Sequence, residues 1–207
     1  MRSASLVILA KAPIKSQVKT RLAAEVGEDK ALEVYGKLLT ITAGIVGLWQ
    51  ARAMLLFDRT FRDWGSYGLD RFPRYPQARG GLGDRIGEAI LRGLEVAPRT
   101  VVIASDCPGI TMDAFGALLD QLPVGGVALG PAEDGGFWAI ATDNPKVAEV
   151  IRKGQVPWST NTALETTVQR LKEAGVPLGL GPLLYDIDTL ADLRRAVKEG
   201  VLSVDLP

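Results

Sequence analysis

The sequence predicts an α/β fold: one three-layer domain over residues 1–207, with a mostly parallel central sheet and helices on both faces. Three observations carry that prediction. Continuous apolar runs of strand length recur along the chain, as "SLVILA", "AMLLF" and "TVVIA". Such runs belong to strands buried on both faces. Segments of helical periodicity alternate with them, which requires crossover connections and therefore a parallel sheet. Finally, 207 residues with a 47% hydrophobic fraction suffice for one sizeable core and hardly for two.

The elements are expected in this order. Ser5–Lys11 is a buried strand, followed by the polar loop "APIKSQVKTR". A long helix runs from Glu28 to Leu48, with Leu32, Tyr35, Leu38, Leu39 and Ile45 at helical spacing. Ala53–Asp58 is a second strand, and the turn-rich stretch after it leads into a glycine- and arginine-rich connection, "RFPRYPQARGGLGDR". A helix over Leu82–Leu94 and a strand over Thr100–Ser105 come next. Thr111 caps a helix reaching Leu122, with Asp113 in its first turn. "VGGVALGPA" and Gly136–Thr142 are two more strands around "EDGG", and Pro145–Arg152 is helical. Thr162 and Glu165 have capping-box spacing, and Gly175 and Pro177 mark the end of the helix they open. The last unit, "LLYDIDTLADLRRAVKEG", reads as a short strand, a turn and a helix stopped by Gly200. No internal repeat, low-complexity segment or linker is present.

Composition narrows the chemistry. Lys plus Arg and Asp plus Glu number 24 each, so no basic field is available to hold a nucleic acid. The chain has no histidine, which removes Ser-His-Asp and Cys-His nucleophiles and His-ligated zinc. A metal would have to be held by carboxylates and other oxygens, which suits Mg²⁺ or Mn²⁺. The single cysteine forbids an internal disulfide and fits a reducing compartment. The apolar run before Lys11 is shorter than a signal-peptide core of roughly 7–15 residues. The uncharged stretch Leu38–Ala51 is too short for a membrane span of roughly 20. The expectation is a cytoplasmic protein without a membrane span.

Several charged residues stand where strands are expected to end. Asp106 follows the run "TVVIAS", and Pro108 and Gly109 are expected to fix its direction. Ligands of open parallel sheets bind beyond the carboxyl ends of strands. Asp186 and Asp188, in "YDIDT", follow another short strand, and Asp134 lies in "GPAEDGGF". Carboxylates gathered from three loops repel one another unless a cation joins them. A turn or capping role is the plainer reading of Asp106 and Asp188, and it is compatible with metal binding. Lys11, Lys19 and Arg21 in the first loop can neutralise phosphates. Gly80, Gly81 and Gly83 permit close backbone approach at a helix N-terminus. Neither G-x-G-x-x-G after the first strand nor G-x-x-x-x-G-K-[ST] occurs, so a dinucleotide fingerprint and a P-loop are both excluded.

The strings "LAKAPIKSQVKTRLA", "QARGGLGDRI", "VVIASDCPGI", "LGPAEDGGFWAI", "VPWSTNTALETT" and "DIDTLADL" occur in that order. Together they resemble the bacterial selenodomain-associated transferases of the nucleotide-diphospho-sugar transferase superfamily, which have a glycosyltransferase A-type fold. The resemblance runs from Leu6 to about Leu193. The usual first loop of that family is similar to K-A-P-x-P-G-x-V-K-T-R-L, and here Lys15 and Ser16 replace its proline and glycine.

The resemblance implies a role for each matching residue. Asp106 would hold Mg²⁺ or Mn²⁺ on the nucleotide phosphates, with Asp188 as a late acidic ligand. Lys11, Lys19 and Arg21 would contact phosphate, Lys15 could add a charge, and Gln77, Gly81 and Gly83 would lie at the nucleobase. Asp134 would be the acceptor-side carboxylate, with Glu133 as its rival for the acceptor proton. Trp138 and Trp158 are either sugar-stacking residues or core. Cys107 reads as a small buried residue, since no base stands ready to activate it. The implied activity is metal-dependent transfer from a nucleotide or nucleotide-sugar donor to a small-molecule acceptor, first of all glycosyl transfer. The K-T-R-L ending also resembles phospholactate guanylyltransferases, which implies nucleotidyl transfer with pyrophosphate release as the alternative. A non-catalytic nucleotide-binding protein is the third reading.

Overall fold

The structure is a computed structural model and describes residues 4–49 and 52–206. The first three residues and the end of the Leu38–Ala51 stretch lie outside them. Strand β1 (Ala4–Ala10) is followed by helices α1 (Thr20–Val26) and α2 (Glu28–Leu48). Then come β2 (Ala53–Phe57), a 3-10 turn (Gly65–Tyr67), β3 (Arg74–Pro76), α3 (Leu82–Val96), β4 (Arg99–Ile103) and α4 (Met112–Asp120). The chain closes with β5 (Val127–Pro131), β6 (Phe137–Thr142), α5 (Lys146–Lys153), α6 (Ala163–Glu173), β7 (Leu178–Leu180) and α7 (Leu190–Lys198).

The strands form one sheet in the order β3-β2-β1-β4-β6-β5-β7, parallel except for β6. The α/β class and the mostly parallel sheet are as the sequence predicts. Strand β1 lies inside the sheet, between β2 and β4, and alternates its side chains between two cores. Leu6 and Ile8 face α2 and α4 with Leu39 and Phe115. Val7 faces α3, α5 and α6 with Ile90, Ile151 and Leu171. A third cluster joins Leu22 of α1, Leu38 of α2 and Leu193 of α7. Its burial clamps the loop before α7 over the loop before α1.

Some elements differ from expectation. Helix α1 begins inside the segment expected as loop. Its seven residues give too short a window for periodicity to register, and Gly27 at φ 85° separates it from α2. Strand β3 lies in the expected connection, added parallel to the edge of β2. The last strand is Leu178–Leu180 rather than a segment just before Asp186, where Leu184 makes an isolated bridge to Ala132. Pro182 withholds a backbone donor there and ends the regular pairing. The Thr162–Glu165 capping box does not form: Thr162 has φ −108° and ψ 5°, and its hydroxyl bonds Thr160. Helix α2 is long and apolar enough to cross a membrane by length and composition alone. That revises the expectation of no such segment, although half of the qualifying window is buried in the core.

Candidate functional site

Strand β1 leads to β2 on one side of the sheet and neighbours β4 on the other. Their carboxyl ends therefore open a crevice at the point where the connections diverge. A cavity of about 540 Å³ lies there, lined from β1, β4 and β6 and from the loops after each.

Three loops at this cavity are tied together. The Tyr35 hydroxyl, buried in α2, accepts from the Lys11 amide, donates to the Lys11 carbonyl and lies 3.3 Å from Ser105 Oγ. This fixes the loop after β1 against the loop after β4. The Ala12 amide donates to Asp58 Oδ1 at 2.7 Å, anchoring the same loop to the end of β2. The Ile187 amide donates to the Asp106 carbonyl at 3.3 Å, while the Ile187 side chain is fully buried. The two acidic loops are thus held together by their backbones. The direction of Asp106 comes from this bond and from strand β4, and Gly109 takes no left-handed backbone.

Lys19 stands where these loops meet. Its Nζ donates to Asp106 Oδ2 at 3.1 Å and to Asp188 Oδ1 at 2.9 Å. Its side chain is only 5% exposed, against 35% for Asp106 and 31% for Asp188. Burial disfavours the ammonium, but the charges of Asp106 and Asp188 overcome that penalty and raise the lysine's pKa. Lys19 reaches this point from a left-handed backbone, φ 47° and ψ 46°, directly before α1. Arg21 Nη1 reaches Asp188 Oδ2 at 3.4 Å from the cavity rim.

Asp188 is available because Thr189 takes the capping role. The Thr189 hydroxyl accepts from the Asp192 amide, and the Asp192 carboxylate returns bonds to the Asp188 and Thr189 amides. The capping box expected at Thr162 occurs here instead.

Asp106, Asp134, Asp188, Lys11, Lys19, Arg21 and Gln77 all line the cavity. The Asp134 carboxylate is oriented by the Gly136 amide, 2.8 Å from Oδ1. Its neighbour Glu133 faces away and pairs with Arg195 at 2.8 Å. Lys15 also lies outside, paired with Asp29 at 2.7 Å, so it adds no charge to the site. Gly81 and Gly83 are not on the cavity wall. The Gly81 amide is spent on Asp84 Oδ2, and a Cβ at 83 would stand 2.8 Å from the Ile151 carbonyl. The close approach that demands glycine at 83 is the packing of α3 on α5. Trp138 and Trp158 both border the cavity; Trp138 is buried, with Nε1 donating to the Pro182 carbonyl, and Trp158 is partly exposed beside Phe137. Cys107 is buried as expected, and burial with the nearby charges of Asp106 and Asp186 pushes its thiol well above the usual range.

Two groups escaped assignment from the sequence. Asp186 lines the cavity, and burial together with the charge of Asp106 pushes its carboxyl up to about 7, against the opposing pull of Lys19. In the sequence it stands with Asp188 in one of the three acidic loops that could meet at a cation, without a role of its own. Arg85, in the first turns of α3, also lines the cavity; it stands in the string "QARGGLGDRI", where only Gln77, Gly81 and Gly83 are assigned a role. Among the described residues no three acidic or thiol side chains cluster in a metal-holding arrangement.

Comparison with known proteins agrees on the fold. No curated protein matches the chain. A solved Desulfovibrio desulfuricans G20 protein, described as a candidate nucleotide-diphospho-sugar transferase, superposes with a TM-score of 0.85 at 23% identity. That match covers 97% of this chain and 88% of the other. The 4-diphosphocytidyl-2C-methyl-D-erythritol synthase of Anaerococcus prevotii DSM 20548 gives 0.63 at 12% identity, covering 96% of each chain. A CMP:2-keto-3-deoxy-manno-octonic acid synthetase, solved with CTP, gives 0.56 at 16% identity, covering 97% of this chain and all of the other. The fold is therefore nucleotide-diphospho-sugar transferase-like. Residues 45–160, over half of the chain, match the profile of a family described as "Uncharacterized protein conserved in bacteria (DUF2064)", and it is to this family that the protein belongs.

Proposed function

We propose that this protein is a metal-dependent transferase acting on a nucleotide-activated donor, most directly a glycosyltransferase using a nucleotide-diphospho-sugar. The observation that carries this reading is the meeting of Asp106 and Asp188 at Lys19 Nζ inside the cavity. Two carboxylate oxygens from separate loops converge on one cation-sized point, so the residues present fit Mg²⁺ or Mn²⁺. Two protein carboxylates are also what a Mg²⁺ site that completes its shell with water and phosphate requires. The bound ion would supply charge stabilisation on the diphosphate oxygens. Asp106 and Asp188 would hold it, and Lys19 would exchange its carboxylate partners for phosphate oxygens. Lys11 and Arg21, exposed at the rim, would bind and orient the same phosphates. Asp134 would take the proton from the acceptor hydroxyl, its direction set by the Gly136 amide. Trp158 offers a partly exposed ring edge to a sugar. The resemblance to selenodomain-associated transferases supports the same reading.

Nucleotidyl transfer is the second reading. Two proteins of like fold carry the names of synthases that join a nucleotide to a small molecule, one of them solved with CTP. Calorimetric titration of nucleotides and nucleotide sugars, with and without Mn²⁺, tests the shared part. Asp106→Asn is expected to abolish the metal-dependent component of binding and retain a folded melting transition. Unchanged nucleotide affinity in that variant would remove the central assignment. Sugar transfer from a UDP- or GDP-sugar supports the first reading; acceptor-dependent pyrophosphate release from a nucleoside triphosphate supports the second.

A further inference from the structure

The wall of the cavity away from the acids is largely apolar, built by Leu9, Leu82 and Ile86. Two polar side chains interrupt it. Gln77 has spent both of its amide hydrogens, donating to the Ala10 carbonyl at 3.0 Å and the Leu56 carbonyl at 2.9 Å. Its remaining oxygen receives a long contact of 3.5 Å from Arg85 Nη1. Arg85 is in the opposite condition. Its Nε is buried without a partner, and among the described residues no carboxylate forms an ion pair with its guanidinium. The adjacent Asp84 is turned to the Gly81 amide. Nε is closed off by the protein, but Arg85 lines the cavity without a carboxylate to neutralise it, so the guanidinium nitrogens that reach the cavity are left for a ligand's acceptors.

We infer that Arg85 is the specificity-determining residue for the donor's nucleobase, and that it selects a base offering two adjacent acceptors. The inference rests on the nucleotide reading above and deepens it. The charged end of the cavity is suited to phosphates, which leaves the apolar wall for the flat, weakly polar part of the same ligand. A guanidinium carries donors only, in a planar fork that matches two neighbouring acceptors. Guanine presents such a pair at O6 and N7, and cytosine at O2 and N3. Adenine places an amino donor beside N7, which sets donor against donor. Uracil has its ring N–H between its two carbonyls. The fork therefore favours guanosine or cytidine nucleotides over adenosine and uridine nucleotides.

The test is the affinity of GTP, CTP, ATP and UTP in the presence of Mn²⁺, measured by calorimetry on the wild type, Arg85→Met and Arg85→Gln. The wild type is expected to bind GTP or CTP at least tenfold more tightly than ATP, the size of one bidentate pair. Arg85→Met should erase that preference by weakening the favoured nucleotide alone. Arg85→Gln has one donor and one acceptor on its amide, which match adenine N7 and N6, and it should raise ATP relative to the others. Melting curves confirm folding, and either variant suffices for the comparison. If the wild type binds nucleotides without preference, or both variants weaken all four equally, the inference is overturned while the nucleotide reading stands. If the wild type binds no nucleotide, that reading falls and the inference falls with it.

Discussion

Lys19 shows how much depends on a single side chain. A buried ammonium between two partly exposed carboxylates is stabilised by them, and they by it. Replacing it by methionine leaves the acids facing each other without a counter-charge. Loss of one member of a fully buried ion pair costs roughly 3–5 kcal/mol. With Asp106 and Asp188 about one-third exposed, solvent screening reduces this to about 2 kcal/mol. Lys19→Met should therefore melt below the wild type in metal-free buffer. Mn²⁺ should then raise its melting temperature more than it raises that of the wild type, because the ion no longer competes with the ammonium. Equal shifts in both proteins would show that the lysine and the ion do not share a place. Ser16 makes a second prediction at this scale. It stands where the resembled family has glycine, and its φ is 66°. A left-handed backbone costs a residue with a Cβ about 1–2 kcal/mol. The greater freedom that glycine adds to the unfolded chain returns about 0.4–1 kcal/mol of that. Ser16→Gly should stabilise by about 0.5–1 kcal/mol, read as a melting temperature higher by about 2 °C. A lower melting temperature would mean that the serine compensates its backbone with contacts glycine cannot make. In both cases the residue type was visible in the sequence, while the backbone angle that gives it meaning was not.

At the scale of elements, strands and long helices follow from pattern. A continuous run such as "LVILA" has to be covered on both faces, and β1 is such a strand, held between β2 and β4 inside the sheet. The short or contingent elements were not legible. Helix α1 has seven residues and owes its existence to burial of Leu22 beneath α7. The two capping boxes make the same point. Thr162-x-x-Glu165 and Thr189-x-x-Asp192 have like spacing, yet only the second has the extended cap backbone that lets the hydroxyl reach the third amide. Helix packing also explains Gly83, whose missing Cβ admits the Ile151 carbonyl and Trp158 Nε1. Gly83→Ala should separate α3 from α5 and destabilise the protein by about 1–3 kcal/mol in denaturant unfolding. A nucleotide affinity reduced far beyond what that destabilisation explains would restore the ligand-side role expected from the sequence.

At the scale of the whole molecule, the site is assembled from loops distant in sequence. Lys19 and Asp188 are joined by an ion pair spanning 169 positions, and Lys19 and Asp106 by one spanning 87. A ligand that bridges these loops ties the first and last units of the chain together. At a free concentration one hundred times its Kd, it should add about 2.7 kcal/mol to the stability of the fold. That gain should appear as a cooperative upward shift of the single melting transition with nucleotide and Mn²⁺ together. Two resolved transitions, with only one of them shifted, would contradict a site shared by the whole chain.

The amino-acid sequence alone determined the α/β class, the burial of β1 on both faces, the absence of histidine chemistry and the candidate acids and bases at strand ends. These follow from composition and local periodicity, which each segment carries by itself. Tertiary structure decided which candidates meet. It brought Asp106, Asp188 and Lys19 to one point, turned Glu133 and Lys15 outward, spent Gly83 on helix packing and left the Arg85 guanidinium without a counter-charge. Spatial adjacency of loops so far apart is set by how the layers pack, and no local run of residues encodes it.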